Sequence, residues 1–279
     1  MAIGSRSRRR GEERQDSAFV TVTDLTVSFL FVLLILLAFF ATEFRPDEEE
    51  PEAEPEPLAA YLESAAATRL QILEFIAERL RANLPGLRIS VVAADGIIRF
   101  RSDELFRPGQ WRIPNGSMPE RVARALGDAL LDTLPCYTIG PAATKPQDCE
   151  DVLAAIETIQ IEGHTDDLPL LLALQERESM KDNLDLSARR GAETLRAMTN
   201  GYRPELMEYR NLRGEPVLSF AGYGSMRPID DRPTDTGRAA NRRVDIRFIL
   251  QTPQNLAQIE RIRAQLTAQR QGLPPVANR

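Results

Sequence analysis

Histidine is almost missing from this chain. Among 279 residues there are one histidine (His164), two cysteines (Cys136 and Cys149) and one tryptophan. One imidazole and two thiols do not make a recognisable metal-site spacing, nor a Cys/His pair for nucleophilic chemistry. No other nucleophile–base pair stands out, so neither an enzyme nor a metal or organic cofactor is expected. The positive excess of a nucleic-acid binder is also lacking: the formal net charge is -6. Long apolar runs are equally scarce, and only residues 18–41 form one.

That run is the most informative segment. As a helix it spans roughly 36 Å, enough for a bilayer core of about 30 Å. Asp24 is its only ionisable group. A carboxylate at membrane depth is costly, and the default reading is ion or proton handling. Ser17, Thr21, Asp24 and Ser28 share one helical face, which becomes apolar at Phe31, Val32 and Ile35. The alternative is an interfacial Asp24 that snorkels to the surface. Arg6, Arg8, Arg9, Arg10 and Arg14 precede the run, and acids dominate after it. The positive-inside rule therefore puts residues 1–17 in the cytoplasm and the bulk outside the inner membrane. A cleaved signal peptide is disfavoured by the length of the run and by Phe39-Phe40-Ala41-Thr42-Glu43, a poor cleavage site.

On the exported side Cys136 and Cys149 meet oxidising conditions, where a bridge contributes ~3 kcal/mol; free buried thiols are the alternative. Residues 42–57 are acidic and proline-rich, an extended solvated linker. Residues 58–84 read as a helix. Ala59, Leu62, Ala66, Arg69, Leu73, Ile76 and Leu80 form a heptad seam, for a parallel homodimer stalk or for docking on the following domain. The domain itself covers residues 85–252. A hairpin is expected around Ala93-Ala94-Asp95-Gly96, and a capped helix from Ser117-Met118-Pro119-Glu120. Further strands are expected at 156–162, 217–222 and 244–250, with a helix over 186–198. This alternation predicts an α/β fold, a mixed sheet with helices on one side. Residues 253–279 read as a helix and a tail.

Three blocks carry the domain's chemistry: Ile161-Glu-Gly-His-Thr-Asp166 at a strand end, Asn183-Leu-Asp-Leu-Ser-Ala-Arg-Arg190 opening a helix, and Gly237-Arg-Ala-Ala-Asn-Arg-Arg-Val-Asp-Ile246. A guanidinium fork holds a carboxylate, a helix start favours anions and an aspartate takes an ammonium. Together they suit a zwitterionic amino-acid head group. These blocks resemble the OmpA/MotB-type peptidoglycan-binding domain. The resemblance implies that Asp166 and Arg190 hold the diaminopimelate of the wall stem peptide, with Asn183 and Leu186 shaping the pocket. Two departures stand out. Gly191 replaces the usual alanine, and the stretch between Asp166 and Leu186, with Leu168-Pro-Leu-Leu-Leu172, is longer than usual and is placed to lid or reshape the pocket. Arg242, Arg243 and Asp245 are read as pairing within the fold.

A membrane acid joined to a wall-gripping domain is similar to MotB-like stator subunits. There, a dimer of B subunits sits inside a ring of five A subunits, and protons or sodium ions pass by the span aspartate, here Asp24. The Pro135-Cys136-Tyr137…Cys149 element and residues 211–223 resemble the ZorB subunits of Zorya antiphage defence more than flagellar MotB, with a ZorA-like partner implied. A flagellar stator and a passive envelope tether are the alternatives.

Overall fold

The structure is a computed structural model, and it describes residues 24–40, 57–107, 109–143, 149 and 154–271. The chain divides into two compact units, Met1–Glu54 and Pro55–Arg279.

In the first unit, helix α1 covers residues 24–40. Its large apolar side chains, from Leu25 and Phe29 to Phe39 and Phe40, are exposed around the whole circumference. Among the described residues no helix is long and apolar enough to cross a membrane. Residues 24–40 give roughly 26 Å of helix. The expected span of 18–41 extends at both ends beyond the described residues, and the whole of the basic tail (1–17) and all of the linker but Pro57 lie outside them.

The second unit starts with α2 (Pro57–Asn83). Strands β1 (Ile89–Val92) and β2 (Ile97–Arg101) form the expected hairpin, closed by a 3-10 turn over Ala93–Asp95. A short α3 (Ser102–Leu105) precedes α4 (Met118–Thr133). The Ser117 side chain caps α4 as expected by accepting from Glu120 N at 3.3 Å, while the Glu120 carboxylate accepts from Gly116 N, one residue before the N-cap amide that a full capping box engages. Then come β3 (Ile156–His164), α5 (Leu172–Glu178), α6 (Asn183–Thr199), β4 (Leu218–Gly222), α7 (Asp235–Asn241), β5 (Arg243–Leu250) and α8 (Leu256–Gln271). The five-stranded sheet runs β1-β2-β5-β3-β4. Only β3 and β4 pair in parallel, so the sheet is mixed, as expected.

Strand alternation splits the sheet into two different faces. Ile98, Phe100, Ile159, Ile161, Val244, Ile246 and Phe248 enter one core with Ile72, Leu73, Ile76 and Leu80 of α2, Val122, Leu126 and Leu130 of α4, and Met198 of α6. The long helices α2, α4 and α6 thus share the apolar face. The opposite face carries Arg99, Glu162, His164, Arg243, Asp245 and Arg247.

The seam of α2 needs correction. Leu73, Ile76 and Leu80 are buried in the domain's own core, so they do not face a second copy. Nearer its start α2 turns a different stripe inward. Tyr61 and Ala65 pack with Ile259, Ile262 and Leu266 of α8, while Ala59, Leu62 and Ala66 stay exposed. The apolar periodicity was real, but its partner is intramolecular over the last three turns. Cys136, in the turn after α4, is bonded to Cys149, with Cα atoms 5.5 Å apart.

Candidate site for a carboxylate-bearing ligand

Two glycines bring α6 onto the strand ends. A Cβ on Gly163 would lie 2.1 Å from the Ser187 carbonyl oxygen, and one on Gly222 would lie 2.4 Å from Ala188 N. Only bare α-carbons permit this approach. Helix α6 therefore starts beside the end of β3, its first turn capped by the Asp182 carboxylate, which accepts from Leu184 N and Asp185 N. Pairing of β3 with β5 places His164 opposite Arg243, which brings Arg242 to the Thr165–Asp166 loop.

Here the predicted residues converge. Arg242 donates to Asp166 Oδ2 at 2.6 Å. Asn183 Nδ2 donates to the carbonyls of Asp166 and Leu168, at 3.3 and 2.7 Å, and so holds the loop that carries the acid. Arg190 is 2% exposed, and its Nε donates to the Gln110 carbonyl at 2.9 Å. Its guanidinium carbon lies 5.3 Å from the centre of the Phe106 ring. Among the described residues Arg190 has no ion-pair partner. Burial lowers its pKa to about 10; the attraction of Asp166 opposes the shift and the charge of Arg242 adds to it.

A cavity of about 190 Å³ is lined by Arg101, Ser102, Asp103, Phe106, Arg190, Ala239 and Arg242. Of the four residues expected for the pocket, only Arg190 lines it. Asp166 is reached through Arg242, Asn183 holds the loop, and Leu186 is buried near the start of α6. Arg242 does pair within the fold, as expected, but its partner is the proposed ligand residue, and its side chain walls the cavity. Phe106, Gln110 and Arg101 went unnoticed in sequence because no motif connects them to Arg190.

The long segment after Asp166 folds into α5, and none of its residues lines the cavity. It is tied instead to Trp111, whose Nε1 donates to Glu178 at 3.1 Å, and to Arg189, which donates to the carbonyls of Glu178 and Ser179. Asp24 is exposed at the first described position of α1.

Beneath the loop, the polar face of the sheet forms a buried charge lattice. Arg99 forks onto Asp245 at 2.8 and 2.9 Å, Arg243 adds a bond of 2.9 Å, and Arg247 forks onto Glu162 at 2.7 and 3.1 Å. Burial acts to raise the Glu162 pKa, but His164 and Arg247 outweigh it and bring it down to about 2. His164 lies 3.7 Å from both carboxylates, stacked on Tyr223, with neither ring nitrogen hydrogen-bonded among the described residues. Burial lowers its pKa. Glu162, His164 and Asp245 have the ligand types and closeness of a metal site. Their charge argues against one. Three guanidinium groups already face two carboxylates, and a divalent ion would add to a positive surplus.

Set against known protein families and curated proteins, the chain matches none. It is similar to several solved structures. One is a MotB-like protein from Desulfovibrio vulgaris, at 23% identity over 69% of this chain and 99% of that one, with a TM-score of 0.48. Another is the cell wall anchor of the T6SS from Pseudomonas aeruginosa, at 18% identity over 64% and 96%, TM-score 0.39. A third is the periplasmic domain of Helicobacter pylori MotB, at 23% identity over 60% and 82%, TM-score 0.38.

Proposed function

We propose that the second unit binds the peptidoglycan stem peptide and anchors the chain to the cell wall. The observation that carries this reading is Arg190, a buried cation without an ion pair among the described residues, on the wall of a cavity that two further guanidinium groups, those of Arg101 and Arg242, also line. Burying a charge without a partner costs several kcal/mol. A ligand carboxylate received in a bidentate fork offsets that cost. The diaminopimelate side chain brings a carboxylate and an ammonium on one carbon. Arg190 takes the first. Asp166, released from Arg242, takes the second, and Arg242 turns to the ligand carboxylate. Asn183 keeps the acid in place.

Sedimentation of the purified chain with isolated sacculi tests this reading. Arg190→Ala should leave the chain in the supernatant, and undiminished co-sedimentation of a folded variant would refute wall anchoring through this site.

The motif resemblance extends the proposal to an ion-driven motor of the ZorB type. In this reading the chain is a single-pass inner-membrane protein with a cytoplasmic N-terminus and a periplasmic second unit. It acts as a homodimer within five ZorA- or MotA-like subunits. The all-round apolar surface of α1 supports burial of that helix in lipid or among other helices. Protons or sodium ions bind and leave Asp24, changing its contacts with the ring while the wall holds the dimer still. Asp24→Asn should abolish the biological output and leave wall binding intact. A variant that keeps its full output would reduce the chain to a passive tether.

A further inference from the structure

The cavity at Arg190 has a much larger neighbour. A groove of about 870 Å³ runs across β1, β2 and the start of β5, with α7 as its other wall. Arg101, Ala239 and Arg242 line both spaces. The groove wall holds Arg88, Arg99, Arg101, Arg242 and Arg243 against a single acid, Asp235, in a chain whose net charge is negative. Ile89, Ile229, Ala239 and Ala240 supply aliphatic surface between the guanidinium groups. Such a lining suits an anion that also carries hydrocarbon, which a bare phosphate does not.

The five arginines differ in how firmly they are engaged. Arg99 and Arg243 are locked on buried Asp245, and Arg242 holds Asp166. Arg101 reaches Asp103 only through long bonds of 3.3 and 3.4 Å, and both side chains are about half exposed. An exposed pair of this kind is worth little, so exchanging Asp103 for another carboxylate costs little. Asp103 would keep Arg88, which it meets at 2.8 Å. Arg101 is thus the readily released guanidinium at the junction of the two spaces.

We propose that the groove receives a second carboxylate of the same wall peptide, and that Arg101 is the specificity-determining residue that accepts it. This inference rests on the assignment of Arg190 to the diaminopimelate carboxylate. The stem peptide carries a further free carboxylate on its glutamate, separated from diaminopimelate by methylenes and an amide. The aliphatic groove wall matches that spacer.

The test is titration calorimetry on the full chain with two soluble muropeptides, one with a free glutamate carboxylate and one with that group amidated. For the native chain, amidation should weaken binding about tenfold, the scale of one lost charge-assisted hydrogen bond. Arg101→Gln should bind the free form about tenfold more weakly and no longer distinguish the two, and Arg101→Lys should recover part of the discrimination. Circular dichroism confirms that each variant is folded. If Arg101→Gln still discriminates, the inference is overturned. The same holds if inorganic phosphate displaces the peptide from the native chain but not from Arg101→Gln, since the groove is then a phosphate site. Arg190→Ala separates the two readings. If it binds both muropeptides as the native chain does, the parent assignment falls. If it loses both while Arg101→Gln discriminates normally, only the second-carboxylate inference falls.

Discussion

Two buried arginines, one on α6 and one at the start of β5, live in opposite surroundings. Arg243 lies in the lattice on the polar face of the sheet, bonded to Asp245, which also carries Arg99. Arg190 lies over Phe106 with a backbone carbonyl as its hydrogen-bond acceptor and, among the described residues, no carboxylate partner. Burial lowers the pKa of both, and Arg243 recovers part of the cost from Asp245. One region is charged and neutralised from within. The other is charged and left to be neutralised from outside. The first serves stability; under the proposed function the second serves ligand recognition.

The strongest way to break this contrast is Asp245→Ala. It strands Arg99 and Arg243 without their shared acid and should cost about 3–5 kcal/mol in urea unfolding. A loss below ~1 kcal/mol would mean that the lattice is dispensable. Removing the bridge with Cys136→Ala and Cys149→Ala should cost about 3 kcal/mol while muropeptide affinity stays constant below the unfolding transition. That variant shows whether lowered stability alone weakens binding. Arg190→Met should do the reverse. Affinity should fall about a hundredfold, while stability holds or rises because an uncompensated buried charge is gone.

Acid sharpens the contrast further. The folded pKa of Glu162, about 2, lies below its ordinary 4.5, so its stabilisation is fully present above pH 4.5 and disappears as pH falls toward 2. His164, also lowered, is protonated first in the unfolded chain. Its contribution is therefore lost as pH falls below about 6.5. His164→Gln should flatten the stability profile in that upper window, and it should also raise the pH at which the Glu162 contribution fades, because His164 helps hold that carboxylate down. A profile unchanged by the substitution would show that the imidazole titrates alike in both states.

Much of the architecture was legible because local signals and burial agree. The Ser117 cap opens α4, and the expected hairpin around Ala93–Gly96 and strand at 156–162 appear, the latter two residues longer. Helix α6 starts at Asn183, earlier than the expected 186, because Asp182 caps it. The motif blocks did bring Asp166, Asn183 and Arg190 to one end of the sheet. Periodicity misled at α2, where a repeat of three and four reports a face but not what covers it. Helix α5 escaped notice because it has no buried residue and no side-chain cap. The Arg243–Asp245 pair of the lattice was expected and is present, but the parts of Glu162 and His164 escaped because they alternate along β3 with inward-facing positions, the pattern of a solvent-facing side. Their burial depends on cross-strand guanidinium groups, which a single strand does not reveal. Arg101, at the end of β2, and Phe106, just after α3, come to the Arg190 cavity from more than eighty residues away, beyond any short motif.

The seating of α6 has a mechanical consequence. With no side chains cushioning Gly163 and Gly222, a tug on Arg190 passes directly from helix backbone to strand backbone. For the wall anchor proposed above, load therefore reaches the sheet without a compliant layer of side chains in between.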